Sequence, residues 1–157
     1  MLEIEIPRFG KFTLKHLVFD FNGTLAVDGH LKPGVKERLL ELSKSLSLHV
    51  ITADTFGRAK KALYEIPCKL VILTPGEAHD EAKLKYVEEL GPQYVAAIGN
   101  GENDILMLSE AALGIAVLLE EGVAKEAILA ADILVRDILD ALDLFLKPLR
   151  LKATLRR

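Results

Sequence analysis

The 157-residue sequence has little of several things, and each shortage excludes a class of protein. Cys68 is the only cysteine, so neither an intrachain disulfide nor a cysteine metal cluster can form. The longest apolar run, 111–119, falls well short of the roughly twenty residues of a membrane-spanning helix, and no signal-peptide segment opens the chain. The net charge of −3 gives no global attraction to nucleic acid or to an anionic membrane. We therefore expect a cytoplasmic protein with no nucleic-acid or membrane partner.

The length and composition predict one globular domain spanning residues 1–157. Alternating residues at 2–6, followed by a turn and a second extended stretch, predict a β-hairpin over 1–14. The core is expected over 15–147, and a basic tail over 148–157. Because residues 147–157 include five basic and no acidic side chains, we expect a solvated helix end and a short frayed terminus there.

Short apolar runs alternate with amphipathic stretches along the core. The run 16–19 ends at Asp20 and has the continuous apolar character of a strand buried on both faces. Similar runs occupy 48–51, 70–73, 94–98 and 113–118, with a short sixth at 133–135. Helical stripes separate them and a final helix is expected before Pro148. This alternation predicts an α/β fold: a three-layer, Rossmann-like arrangement with a mostly parallel sheet and helices on both faces.

Polar residues follow three of the predicted strands directly. In open parallel sheets, ligands bind at the carboxyl ends of the strands, near the point where the strand order reverses. Asp20 and Asn22 follow the first core strand, Thr52 and Asp54 the second, and the segment 100–104 the fourth. We expect these residues to meet in one crevice.

The segment 20–25, Asp-Phe-Asn-Gly-Thr-Leu, supports two interpretations equally well when it is taken alone. A carboxylate at the end of a buried strand, before a turn with glycine, could be an oxygen nucleophile exposed at the sheet edge. Aspartate before Asn-Gly is also common as a residue that simply caps a turn.

The segment 99–104, Gly-Asn-Gly-Glu-Asn-Asp, concentrates oxygen ligands suited to a hard cation between a strand and a helix. It is not a dinucleotide-binding fingerprint, because Asp104 stands at the third glycine position. The alternative is a polar loop in which Asn103 or Asp104 caps the following helix, an interpretation that accounts poorly for so many oxygen ligands.

Taken in order, these segments resemble the haloacid dehalogenase superfamily, and within it the phosphorylation domain of P-type ATPases and their soluble relatives. The resemblance covers roughly residues 14–135. The family's first motif, a nucleophilic Asp, two intervening residues and then Gly-Thr-Leu, is matched at 20–25. Its second, a Ser or Thr ending the next strand, is matched by Thr52, and its last, Gly-Asp-Gly-x-Asn-Asp, by 99–104.

The family's third motif is a lysine that opens a helix, and two lysines compete for it. The family places apolar residues four and seven positions after the lysine. Val87 and Leu90 stand at those positions after Lys83, whereas Lys85 is followed there by Glu89 and Pro92. We therefore expect Lys83 to fill this role.

The resemblance implies a Mg²⁺-dependent phosphohydrolase that forms a phosphoaspartate on Asp20. Catalytic roles then fall to Asp20, Thr52 and Lys83. The resemblance also implies which neighbouring residues bind the substrate and which bind the metal. The substrate-binding residues would be Asn22, Gly23, Thr52, Ala53, Lys83 and Asn103. The Mg²⁺ ligands would be Asp20, the backbone carbonyl of Asn22, Asn100 and Asp104.

The chain departs from the family's pattern at two positions. Most phosphatases of the family have a second Asp where this chain has Asn22, which cannot move a proton. The loss of general acid–base catalysis typically costs about 10²–10⁴ in rate, so we expect slow turnover and a preference for good leaving groups. Asn100 replaces a charged metal ligand. These two changes keep open an alternative, a degenerate domain that binds phosphate or a partner protein without turnover. A dehalogenase is disfavoured by the intact Asn103-Asp104 pair.

The spacing leaves no room for the inserted cap that usually selects substrates in this family. Only residues 26–31 could form a small flap over the site. Family members without a cap usually act on large substrates or use a neighbouring subunit as a lid. The resemblance therefore implies either a phosphorylated small molecule or a macromolecular phosphate ester as substrate, and leaves a homo-oligomer open.

Overall fold

A computed structural model describes residues 1–156, which form ten strands and seven α-helices among the described residues. The strands are β1 (Leu2–Ile6), β2 (Gly10–Leu14), β3 (His16–Phe19), β4 (Ala26–Val27), β5 (His30–Leu31), β6 (Ser47–Thr52), β7 (Cys68–Ile72), β8 (Val95–Gly99), β9 (Leu113–Val117) and β10 (Ile133–Val135). The helices are α1 (Val35–Leu42), α2 (Arg58–Ala62), α3 (His79–Leu90), α4 (Ile105–Glu110), α5 (Lys125–Ala130), α6 (Ile138–Leu146) and α7 (Pro148–Leu155).

The central sheet has six parallel strands in the order β10-β9-β8-β3-β6-β7. From β3 the chain first moves outward through β6 to β7, and then returns to the other side of β3 to add β8, β9 and β10. The strand order therefore reverses between β3 and β8. This gap is where a parallel sheet opens a crevice at the carboxyl ends of its strands.

Strand β3 is buried on both faces because its side chains alternate between two hydrophobic cores. Leu17 and Phe19 belong to the larger core, which also holds the buried residues of α1, α6 and the β1–β2 hairpin. Val18 belongs to the smaller core, which is formed with α3, α4 and α5. Helices thus cover both faces, and the predicted three-layer α/β fold is confirmed.

The N-terminal hairpin is also confirmed, with Leu2 opposite Leu14 in its antiparallel register. The tail differs from the expectation of a solvated, frayed end. Residues 148–155 form α7, which packs near β1, because Leu151 is fully buried in the larger core and Leu155 packs against it. Arg157, the last residue of the predicted tail, lies outside the described residues.

Two small elements were absent from the prediction. Helix α2 is a single turn of basic residues and alanine, of which only Ala59 is buried, so it carries no apolar stripe. Strands β4 and β5 pair in a two-stranded hairpin within the segment expected to form a flap. No helix of residues 1–156 is long and apolar enough to span a bilayer.

Candidate active site

Asp20 lies at the end of β3, beside the point where the strand order reverses. Its backbone N–H donates to the Ile98 carbonyl in β8, at 3.0 Å, so the strand pairing fixes its position. The chain then turns sharply, because the Phe21 carbonyl accepts hydrogen bonds from Leu25 at 2.9 Å and Ala26 at 3.0 Å. Gly23 has a φ of 79°, which a side chain would strain.

Lys83 connects the site's acidic side chains. It lies on the inner face of α3, one helical turn before the buried Val87, and its side chain is 1% exposed. Its Nζ lies 2.8 Å from Asp20 Oδ1 and 2.7 Å from Asp104 Oδ1. Lys85, the competing lysine, is exposed to solvent on the same helix.

Asp104 is fully buried and both of its carboxylate oxygens are occupied. Oδ1 accepts from Lys83, and Oδ2 accepts from the backbone N–H groups of Asn100, at 2.9 Å, and Gly101, at 3.0 Å. Position 99 has no room for a side chain, because a Cβ there would lie 2.5 Å from Asp104 Cγ. These contacts make Asp104 an anchor for both the lysine and the loop 99–104.

A buried hydroxyl joins the first and last motifs. Thr24 is fully buried, and its Oγ1 lies 3.5 Å from Asp20 Oδ2 and 3.4 Å from Asn100 Oδ1. Asn103 also contacts the lysine, because its Oδ1 lies 3.4 Å from Lys83 Nζ. Segments that are far apart in the sequence therefore meet around one carboxylate.

The charges in this cluster shift one another's pKa values. Burial and the neighbouring Asp104 raise the pKa of Asp20 from 3.8 to about 7, although Lys83 opposes the shift. Burial alone would lower the pKa of Lys83, but Asp20 and Asp104 outweigh it and raise that pKa. Lys83 therefore remains charged, and the two carboxylates share its single positive charge.

The site opens into a cavity of about 430 Å³ above Asp20. Its lining includes most of the residues predicted for the site, together with five that were not predicted. The predicted residues are Asp20, Asn22, Thr52, Ala53, Lys83, Asn100 and Asn103, and the others include Leu73, His79, Glu102 and Glu121. Asp104 and Gly23 lie beneath this surface, since both are buried.

Asn22, which replaces the second Asp of most phosphatases in the family, has a structural contact. Its side-chain Oδ1 accepts a hydrogen bond of 3.0 Å from the Gly29 N–H, at the tip of the β4–β5 hairpin. The side chain thus ties the turn after Asp20 to the hairpin. Thr52 Oγ1 accepts from the Asp54 N–H at 3.3 Å and faces the same cavity.

Two useful residues carried only a weak signal in the sequence. Thr24 belongs to the Gly-Thr-Leu motif, which could have suggested a buried hydroxyl next to Asp20. Glu121 belongs to a loop after β9 that matches no motif, and only the sheet order brings it to the site.

The donor set at the cavity fits a hard divalent cation. The carboxylate oxygen Oδ2 of Asp20 and the amide oxygen Oδ1 of Asn100 lie 3.5 Å and 3.4 Å from the same atom, Thr24 Oγ1, so the two oxygens are close together. Mg²⁺ prefers oxygen ligands of these kinds. Within residues 1–156, no group of three or more His, Cys, Asp or Glu side chains is arranged to hold a metal ion. Amide and backbone oxygens would therefore have to contribute to binding.

The chain resembles proteins of both known and unknown activity. It is 53% identical over 79 residues to the uncharacterized protein MJ0073 of Methanocaldococcus jannaschii, a match that covers 48% of this chain and 85% of that protein. It is 34% identical over 128 residues to the Probable copper-exporting P-type ATPase of Archaeoglobus fulgidus. That match covers 78% of this chain and 15% of the ATPase.

The fold is shared with a solved phosphatase. The 3-deoxy-D-manno-octulosonate 8-phosphate phosphatase of Moraxella catarrhalis, solved with magnesium ion, phosphate ion and KDO, superposes with a TM-score of 0.67. The two are 18% identical, and the match covers 86% of this chain and 87% of that one. The fold shared with this phosphatase places Asp20 at the switch point of a parallel sheet. The family model of haloacid dehalogenase-like hydrolases matches residues 81–133, so this part of the chain is similar to that family.

Proposed function

We propose that the chain is a Mg²⁺-dependent phosphohydrolase that acts through a phosphoaspartate on Asp20, turns over slowly and favours good leaving groups. The observation that supports this most directly is the position of Lys83 Nζ, 2.8 Å from Asp20 Oδ1 and 2.7 Å from Asp104 Oδ1. A buried lysine held between two carboxylates, at the floor of a cavity, can offset the charge that gathers when a phosphate approaches.

The proposed reaction has two displacements at phosphorus. A carboxylate oxygen of Asp20 attacks the phosphoryl group, and the bond to the leaving group breaks with its electron pair moving to the leaving oxygen. Water then attacks the phosphoaspartate, the bond between phosphorus and the Asp20 oxygen breaks, and inorganic phosphate leaves. The nucleophile must be ionised, so phosphorylation should increase as pH rises through the pKa of Asp20.

The remaining residues position and stabilise the phosphoryl group. The Thr52 hydroxyl and the backbone at Ala53 line the cavity, where they would hydrogen-bond phosphoryl oxygens. Asn103, which also lines the cavity, would help to orient the group. Asp104 would act indirectly, since both its oxygens are used to hold Lys83 and the loop.

Asp20, the Asn22 carbonyl and Asn100 would hold Mg²⁺. A bound Mg²⁺ would reduce the repulsion between the nucleophile and the phosphate.

Asn22 determines which substrates react well. With an amide in place of a general acid, the leaving group departs without a proton from this position. Weakly basic leaving groups, as in acyl phosphates or nitrophenyl phosphate, need no such help. We therefore expect phosphorylated substrates of this kind to be much faster than alkyl phosphates.

Acid-quenched labelling tests the proposal. Wild-type protein incubated with Mg²⁺ and radiolabelled acetyl phosphate should retain acid-stable label, and Asp20→Asn should retain none. Asp140→Asn is a matched control, because Asp140 lies on α6 in an ion pair with Arg136 and away from the cavity. Turnover of alkyl phosphates should be about 10²–10⁴ times slower than that of acyl phosphates.

Two outcomes would contradict the proposal. Label that persists in Asp20→Asn would place the nucleophile elsewhere. Absence of label in the wild type, together with no Mg²⁺-dependent phosphate release, would favour the binding module that Asn22 and Asn100 keep open.

A further inference from the structure

We propose that Glu121 supplies the carboxylate that completes the divalent-cation site, in place of the charge that Asn100 lacks. This inference rests on the proposed function, because it assigns a further ligand to the same cation. It starts from a deficit of charge: the Asp104 carboxylate is used by Lys83 and two backbone N–H groups, which leaves Asp20 as the predicted ligand with an available charge.

Glu121 lies in a tight turn that follows β9. The Gly122 N–H donates to the Leu119 carbonyl at 2.9 Å, and Gly122 has a φ of 83° that closes the turn. Glu120 and Glu121 are therefore the two central residues of the turn, and their side chains can leave it in different directions.

The turn and the residues just after it are hydrogen-bonded to both the side chain and the backbone of Asn100. The Asn100 side-chain Nδ2 donates to the Gly122 carbonyl at 3.2 Å, and the Ala124 N–H donates to the Asn100 backbone carbonyl at 2.8 Å. The position of Glu121 relative to the loop 99–104 is thus fixed by hydrogen bonds, even though its own side chain is exposed.

Gly23 shows how close the carboxylate comes to the site. A Cβ at Gly23 would lie 2.4 Å from Asn100 Nδ2 and 2.6 Å from Glu121 Oε2. Those two atoms are therefore no more than about 5 Å apart, the sum of the two distances. The carboxylate reaches over the glycine of the nucleophile's turn, next to the side chain whose charge is missing.

The two glutamates of the turn have different surroundings. Glu120 pairs with Lys32 at 3.4 Å, outside the lining of the active-site cavity. Glu121 lines that cavity, and among residues 1–156 no cationic side chain pairs with its carboxylate. A carboxylate without a cationic partner, near the Asn100 amide and in the same cavity as the Asp20 carboxylate, is suited to a divalent cation.

Calorimetric titration of Mg²⁺ and Mn²⁺ into the phosphate-free protein tests the inference without a catalytic assay. Glu121→Gln should weaken metal affinity by about 10–100-fold, the range seen when a supporting group of a metal site is lost. Glu120→Gln removes the same charge one residue away and should change affinity less than about twofold, because that carboxylate is exposed and already paired. Asn100→Asp in the Glu121→Gln background should restore the affinity.

The outcomes separate this inference from the proposed function. Unchanged affinity in Glu121→Gln, an equal loss in Glu120→Gln, or a wild type that binds neither cation would overturn the inference. So would a variant that loses turnover while its metal affinity stays intact. If metal binding depends on Glu121 but the wild type forms no phosphoenzyme, the inference stands and the proposed function fails.

Discussion

The two ends of strand β3 carry two polar clusters of opposite character, and both contact α3. At the carboxyl end, Lys83 forms ion pairs with Asp20 and Asp104, and Asp20 and Lys83 line a cavity. At the amino end, His16 Nδ1 lies 3.1 Å from His49 Nε2, and His49 Nδ1 lies 2.8 Å from the Tyr86 hydroxyl. The second cluster is a chain of neutral hydrogen bonds between β3, β6 and α3.

The difference shows how each cluster relates to stability. Burial, with the nearby His16 and Lys69, lowers the pKa of His49 from 6.5 to about 4, so this histidine is neutral at physiological pH. Its polar atoms are satisfied by their neighbours, as buried polar atoms usually are. The charged cluster instead keeps two carboxylates near one ammonium, an arrangement that favours reactivity over stability.

Removing the lysine should break the charged cluster and give the largest effect. Lys83→Met leaves Asp20 and Asp104 without a counter-charge, so we expect the free energy of unfolding to fall by about 3–5 kcal/mol at pH 8. Phosphoenzyme formation should fall by about 10²–10³-fold. Lys85→Met, the exposed neighbour on the same helix, should alter neither quantity. Urea unfolding and acid-quenched labelling measure both, and similar losses in the two variants would contradict the role given to Lys83.

Changing the neutral cluster should affect stability alone. His49→Gln cannot keep both hydrogen bonds, so we expect the free energy of unfolding to fall by about 1–3 kcal/mol at pH 7.5. The folded-state pKa of His49 lies below its ordinary value, so the wild type should lose stability as pH falls from about 6.5 to about 4. Glutamine does not titrate, so the difference between wild type and variant should shrink at pH 4.5. A difference independent of pH, measured by urea unfolding, would refute the assignment.

Replacing Asp20 should have the smallest effect on stability, and this change should stabilise the protein. The pKa of Asp20 is raised when the protein folds, so folding becomes less favourable as pH rises from about 4 to about 7. Asp20→Asn removes that cost and should stabilise the protein at pH 8 by on the order of 1 kcal/mol, or about 2–4 °C in Tm. The gain should vanish near pH 4. Destabilisation of Asp20→Asn at pH 8 in thermal melts would mean that the carboxylate supports the fold.

The sheet could be predicted because its strands are continuous apolar runs that end in polar loops. Residues 16–19 show this most clearly, and their burial on both faces follows from helices on both sides. Helix α2 could not be predicted in the same way. It begins where Asp54 accepts hydrogen bonds from Ala59 at 2.8 Å and Lys60 at 3.3 Å, and only Ala59 in it is buried.

Part of the site could be predicted from the sequence for a similar reason. Residues placed directly after strands, such as Asp20 and Asn100, could be assigned to one crevice from topology alone. Glu121 could not, because its position depends on a turn that hydrogen-bonds to Asn100 from the next loop. The use of both Asp104 oxygens inside the protein is also a property of the packed structure, which no spacing in the sequence reveals.

Chemical mapping of the phosphorylated residue tests the central claim most directly. Borohydride reduces an acyl phosphate to an alcohol, so protein trapped with acetyl phosphate and Mg²⁺ should yield homoserine at position 20 in peptide mass spectrometry. An unmodified Asp20, with phosphate or homoserine found at another residue, would contradict the account.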